Sequence, residues 1–311
     1  MAYLTILEAA KLGQGTLMDR AIVQIFAQSA PILQYLPFRN IPGNAIKYNR
    51  EQTLPGIAWR GINEGYTAST GIINPIVESL FICGGDIQVD RFIEKTEGPG
   101  ARAVHVAMKA KAISQDFQRA FIKGDSLDDP KEIDGLQTRL VGDQLIAAGT
   151  TDGGDALSLA KLDELIDAVD GGQYLIMGKA MARRMTTAGR TSTVAGNIEF
   201  SKDEFGATMT KYNGLPIIAL ADSAGLDNVL PFEEATNHTT ATATGSSIYC
   251  VAFGPDKLSG LQNGALEARD LGEMDSAPLL LTRIEWDIGM MIRHGRSAAR
   301  LWSVKNAAVT A

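Results

Sequence analysis

Between Ala101 and Lys123 the apolar residues Ala103, Val106, Ala110, Ile113, Phe117 and Ala120 recur every third or fourth position, which predicts one long helix with a single buried stripe. The same spacing predicts a helix at S-L-A-K-L-D-E-L-I-D-A-V, with Leu159, Leu162, Leu165, Ile166 and Val169 on one side, Ser158 as N-cap and Gly171-Gly172 beyond its end. A third, K-A-M-A-R-R-M-T-T, stops at Gly189. Nearer the start, a short helix is expected over 5–11 and another over 16–30, with Met18, Ile22, Ile25 and Phe26 on one face, until Pro31 and Pro37 interrupt. Period-two alternation appears instead in P-L-L-L-T-R-I-E-W-D-I-G-M-M-I-R, which puts Leu280, Thr282, Ile284, Trp286 and Ile288 on one face of a long strand, followed by S-A-A-R-L-W-S-V. Y-L-I-M, L-P-I-I-A-L-A and S-I-Y-C-V-A-F-G read as strands buried on both faces.

Two segments break these patterns. Residues 31–43 are apolar without a period and read as an extended arm lying on another surface. Residues 44–75 hold two short strand-prone runs around Pro55-Gly56 and a return through Gly61, Gly65 and Gly71, but almost no apolar face to pack on their own domain. A two-stranded ribbon without a sheet beneath it is marginal in water. The surface that orders it is most simply another copy of the chain. After the ribbon, I-V-E-S-L-F-I-C-G-G-D-I-Q-V-D-R-F-I reads as a strand pair interrupted at Gly84-Gly85, and residues 124–262 read as a separate α/β lobe.

Composition narrows the function classes. A chain of 311 residues with 45% hydrophobic and 21% charged residues can bury a sizeable core. Its net charge of -7 argues against a global electrostatic grip on nucleic acid. The long helix nevertheless carries Arg102, Lys109, Lys111, Arg119 and Lys123 against the single acid Asp116, so a local basic strip is expected there. Cys83 and Cys250 sit in apolar runs and are expected as buried thiols; with three scattered histidines, His105, His238 and His294, no metal site is expected. The first residues lack the basic and apolar regions of a signal peptide, and no apolar run is long enough to span a bilayer, so synthesis in the cytoplasm is expected.

The motifs with catalytic associations fail on context. Gly124-Asp125-Ser126-Leu127 spells the nucleophile block of a serine esterase family, but follows a helix and has no histidine placed to activate Ser126. Asp152-Gly153-Gly154-Asp155 lacks the alternating ligands of a calcium loop, and Gly13-Gln14-Gly15 lacks the third glycine of a dinucleotide fingerprint. No cofactor and no enzymatic activity are expected.

The order of parts carries more information than any motif. I-P-G-N-A-I-K-Y-N-R, F-I-K-G-D, L-D-E-L-I-D-A-V, Y-N-G-L-P-I-I and S-I-Y-C-V-A-F-G follow one another in an arrangement that resembles the major capsid proteins of tailed bacteriophages, the Hong Kong 97 fold. The resemblance implies an α+β chain with an N-arm (1–43), an E-loop (44–75), a P-domain with its spine helix (76–123), an A-domain (124–262), and P-domain return strands with the C-terminus (263–311). It implies an icosahedral, DNA-filled head of hexamers and pentamers, with scaffolding, portal and decoration proteins as separate partners, and location in the virion. An encapsulin-type nanocompartment shell is the nearest alternative and a serine hydrolase the remote one. Covalent cross-linking is not expected, because between Gln52 and Pro75 the loop has no lysine, and Lys47 lies at its base. Inter-subunit contacts are expected from the charged residues Arg50, Glu51, Arg60 and Glu64 and from the aromatic residues Tyr48, Trp59 and Tyr66, the aromatics carrying most of the energy.

Overall fold

The computed structural model describes residues 30–97, 100–190, 198–202, 208–220, 229–235 and 243–310. The helices expected over 5–11 and 16–30, Gly13-Gln14-Gly15 and His238 lie outside these residues or almost wholly so.

The long periodic stretch forms the spine helix, Gly100–Lys123. Val106, Ala110, Ile113, Phe117 and Ala120 are buried as their spacing requires, and the stripe continues to Phe121; Ala103, expected on it, is exposed. The helix packs on a sheet whose centre is the 14-residue strand Leu279–Ile292. One side of that strand pairs antiparallel with Phe81–Asp90, from Leu279↔Asp90 to Ile288↔Phe81. Its other side pairs with Glu267–Glu273 along the first half and with Leu258–Gln262 along the second. Alternation places Thr282, Ile284, Trp286 and Ile288 under the helix, as the sequence pattern predicts. Phe38, Phe117, Phe121 and Trp286 fill this layer, with successive ring centroids 5.3–6.3 Å apart.

The second sheet belongs to the lobe, in the strand order Leu145–Ala147, Ala298–Lys305, Ala243–Val251, Tyr174–Gly178, Leu215–Leu220, Thr208–Tyr212, Ile198–Lys202. It is covered on both faces, which is why its central strands carry apolar runs rather than alternation. Leu175, Met177, Ile248, Cys250 and Leu301 pack under the helices Leu159–Asp167 and Lys179–Ala188. Ile176, Ile218, Tyr249 and Val251 join the core of the spine helix instead.

Sheet membership redraws the expected boundaries. Leu258–Gln262 lies in the spine-helix sheet, although 124–262 was expected to be lobe. Ala298–Lys305 lies inside the lobe sheet, between Leu145–Ala147 and Ala243–Val251, although 263–311 was expected to return to the helix. The arm also differs: Pro31–Tyr35 is a short helix begun by proline, with Ile32, Leu33 and Leu36 fully buried in the chain's own core. Phe38–Asn40 then adds to the sheet as a parallel strand beside Gly260–Gln262. A Cβ at Gly260 would stand 2.4 Å from the Phe38 ring, so glycine is what lets the two strands meet.

Candidate assembly interface

The ribbon forms, but the run after Pro55-Gly56 is not its second strand: residues 54–71 carry no strand, and Ile72–Ser79 makes the return. Ala45–Thr53 and Ile72–Ser79 pair antiparallel from Ala45↔Ser79 to Arg50↔Asn74, with an irregularity between Glu51 and Thr53, and among the described residues no other strand joins them. The root packs on the body: Tyr48, half-buried Ile46 and Ile76, and Leu80 cluster with Ile41, Leu261 and Met291.

From Leu54 to Gly71 the tip leaves the body without strand pairing. Its shape comes from local bonds. Gly61 N–H donates to Glu64 Oε2 at 2.8 Å, the Arg60 guanidinium donates to the Glu64 carbonyl at 3.1 Å, and Ser69 Oγ donates to the Gly56 carbonyl at 2.8 Å. Arg60 lies over the Tyr66 ring, 5.3 Å from its centroid, and Asn63 turns the chain at φ 67°. Arg60 and Glu64 therefore shape the tip as well as facing outward.

What the tip presents is apolar. Trp59 is 100% exposed, Ile62 94% and Ile57 92%, with Leu54 and Tyr66 also exposed. Burying an aromatic side chain of roughly 150–250 Å² at about 25 cal/mol per Å² contributes roughly 4–6 kcal/mol before ordering costs. An exposed ion pair such as Arg50 could form contributes about 0–1 kcal/mol. The apolar residues dominate any contact made here. The backbone of Glu51 pairs with Ile73; its side chain lies outside the described residues.

Tyr48 corrects the expected contact set. It is buried at the ribbon's root, with its hydroxyl 2.9 Å from the Ile292 carbonyl and 3.3 Å from Glu78 Oε1. Burial, then the neighbouring Glu78 carboxylate, pushes its hydroxyl up to about 12. It anchors the chain to itself.

The basic strip is corrected too. Arg102 donates through Nε to Thr282 Oγ1 at 2.8 Å and forms an ion pair with Asp270. Arg119 pairs with Asp116 at 3.0 Å and with Glu132, and Lys123 Nζ lies 3.2 Å from Glu234, which also holds Arg300. Lys109 lies across Gly85, and Lys111 is exposed. Acids brought from other elements thus compensate three of the five residues of the expected basic strip.

The remaining motifs that fall among the described residues are turn and surface features. Asp134 Oδ1 accepts the Ser126 backbone N–H at 2.9 Å, in a turn that closes the spine helix. Gly153 and Gly154 adopt left-handed φ values of 86° and 84° in a turn. His105 is exposed on the spine helix, and His294 lies 3.8 Å from Asp170. Among the described residues no group of His, Cys, Asp and Glu is arranged to hold a metal, and no helix is long and apolar enough to cross a membrane. Cys250 is buried and Cys83 partly so, both as free thiols pushed up by burial, to about 12 and about 11.

Sequence reasoning missed one site at the ribbon's root. Glu78 accepts two bonds from Arg139, from Nη1 at 2.6 Å and from Nη2 at 2.8 Å, and both side chains are largely buried. The available signal was a lone carboxylate inside the apolar run I-V-E-S-L-F-I.

Comparison with known proteins agrees with this geometry. Residues 14–160 match the family of the major capsid protein GP7. The chain is similar to the SrpI encapsulin of Synechococcus elongatus PCC 7942, with TM-score 0.64 and 16% identity over 100% of this chain and 99% of that one. It is similar to the capsid protein of an empty GTA particle, with TM-score 0.61 and 15% identity over 89% and 90% of the two chains. A structure from Mycobacterium phage Bobi gives TM-score 0.61 and 14% identity over 88% and 90%. No curated protein matches in sequence.

Proposed function

We propose that this chain, a capsid protein of the Hong Kong 97 fold, is the major capsid subunit of a tailed phage, assembling as hexamers and pentamers into an icosahedral head around double-stranded DNA. The observation that carries the reading is the unsupported ribbon whose tip displays Leu54, Ile57, Trp59, Ile62 and Tyr66 to solvent. A contiguous apolar segment held away from its own core is what a repeated protein–protein contact requires. In this reading the ribbon is the E-loop, reaching the neighbouring copy through Trp59 and Tyr66, with Arg50, Glu51, Arg60 and Glu64 setting register. Such a subunit has a structural role and needs no active site.

The family match over 14–160 supports the phage reading, while the full-length likeness to an encapsulin supports a nanocompartment shell as the second one. Electron microscopy of the purified protein, with absorbance at 260 and 280 nm on the particle fraction, tests both. Closed shells holding nucleic acid are the expected result. Closed shells holding protein cargo favour the nanocompartment, and a chain that stays monomeric under assembly conditions overturns both. Scaffolding, portal and decoration proteins are proposed as separate partners, and copurification from infected cells tests for them.

A further inference from the structure

We propose that the buried Glu78–Arg139 pair is the positioning element that sets the direction of the ribbon relative to the body, and so the angle at which one copy reaches the next; this rests on the shell reading above.

The ribbon's attachment is small. Its apolar root, with Tyr48 against Ile41, Leu261 and Met291, is a contact without intrinsic direction, because hydrophobic burial rewards area and not angle. Beyond the root, Ile72, Ile73 and Val77 are exposed. A two-pronged guanidinium–carboxylate pair is different, since both bonds form well only in one plane and one orientation. Glu78 offers one oxygen to each terminal nitrogen of Arg139.

Arg139 is itself fixed. Its Nε donates to the Asp134 carbonyl at 2.8 Å, and it ends the short helix Leu136–Arg139, whose Leu136 is fully buried. That helix is tied to the end of the spine helix: Gly135 N–H donates to the Gly124 carbonyl at 2.7 Å and Thr138 Oγ1 to the same carbonyl at 3.0 Å. The spine helix therefore holds Arg139, Arg139 holds Glu78, and Glu78 sits on the return strand of the ribbon. The outgoing strand is fixed at a second point by Tyr48, whose hydroxyl reaches the Ile292 carbonyl at 2.9 Å. With both strands held, a rotation at the root breaks one of these polar contacts.

The test measures direction in the dissociated subunit and then shell geometry. Spin labels are attached at Thr67→Cys on the tip and Gln88→Cys on the sheet, in a Cys83→Ser background; Cys250, buried with its thiol pushed up to about 12, stays unlabelled. The native chain is expected to give one narrow tip-to-sheet distance. The double variant Glu78→Met/Arg139→Met, which leaves no buried charge unpaired, is expected to unfold as cooperatively as the parent yet lose the single distance in favour of a broad one. Its shells are expected to lose their uniform diameter. Glu78→Gln, which keeps shape and removes charge, serves as the second variant should the double change impair folding, and is expected to broaden the distance as well. An unchanged distance and shell diameter in a folded variant overturns the proposal. If the distance broadens as expected but the native chain makes no shells, the pair still directs the ribbon and the shell reading fails separately.

Discussion

Phe117 of the spine helix meets Trp286 of the long central strand edge to face, with ring centroids 5.3 Å apart and planes at 64°. Both residues are buried, and Phe38 packs against both rings. This contact joins helix to sheet at the middle of the core. Phe117→Ala is expected to destabilise the subunit by about 3–5 kcal/mol, the usual range for deleting a buried aromatic. Chemical denaturation of the dissociated subunit measures it, and a loss below about 0.5 kcal/mol, the level typical of surface changes, would contradict this packing.

Trp59→Ala should behave in the opposite way. The indole is fully exposed in the single chain, so its removal leaves subunit stability unchanged. If the tip anchors a neighbouring copy, the contact weakens by roughly 2 kcal/mol or more, about thirtyfold in affinity. Light scattering across a concentration series reads this as a higher threshold for shell formation. Equal assembly of parent and variant would remove Trp59 from the interface.

Acid should weaken the tie between the spine helix and the strand Glu267–Glu273. The Arg102 guanidinium, donating to Asp270, holds its carboxyl below the ordinary value. A folded-state pKa depressed below the unfolded value of about 3.9 contributes stability that is present above that pH and lost as pH falls through the folded value. Asp270→Asn is therefore expected to be less stable than the parent near neutral pH, by up to about 1 kcal/mol for so exposed a carboxylate, with the two curves converging in acid. Thermal unfolding from pH 7 to pH 2 checks the convergence; parallel curves would rule the pair out as a source of acid sensitivity.

Gly84 and Gly85 should differ although they are neighbours. A Cβ at Gly84 would stand 2.4 Å from the Ile284 carbonyl oxygen, which belongs to backbone and can move only if the strands part. At Gly85 it would meet the flexible end of Lys109, also at 2.4 Å, which can swing aside. Gly84→Ala is expected to cost about 1–3 kcal/mol, as overpacking does, and Gly85→Ala less. Equal melting temperatures for the two variants would count against this account.

Sequence reading captured what periodicity encodes. The spine helix and the inward face of Leu279–Ile292 follow from spacing alone, and the ribbon from the lack of any face to bury. Period two reports which side of a strand is apolar and not which strand lies beside it, so the placement of Leu258–Gln262 and Ala298–Lys305 was not legible. Charge on one helix likewise says nothing of acids arriving from elsewhere. Arg102, Arg119 and Lys123 looked like a free strip until folding brought Asp270, Glu132 and Glu234 to them. Tyr48 shows the same limit at the candidate interface: its sequence neighbours are ribbon, while its hydroxyl partner is the carbonyl of Ile292.

Both sheets take an interior strand from the late part of the chain. Leu279–Ile292 holds together the sheet under the spine helix, and Ala298–Lys305 lies between two strands of the lobe. The Asp86–Arg283 ion pair spans 197 residues of sequence within the first sheet. On a ribosome, neither sheet can close until residues 279–305 have emerged, however long the ribbon has been outside. The ribbon's own mount is equally late, because Met291 at its root and the Ile292 carbonyl that accepts from Tyr48 belong to that same stretch.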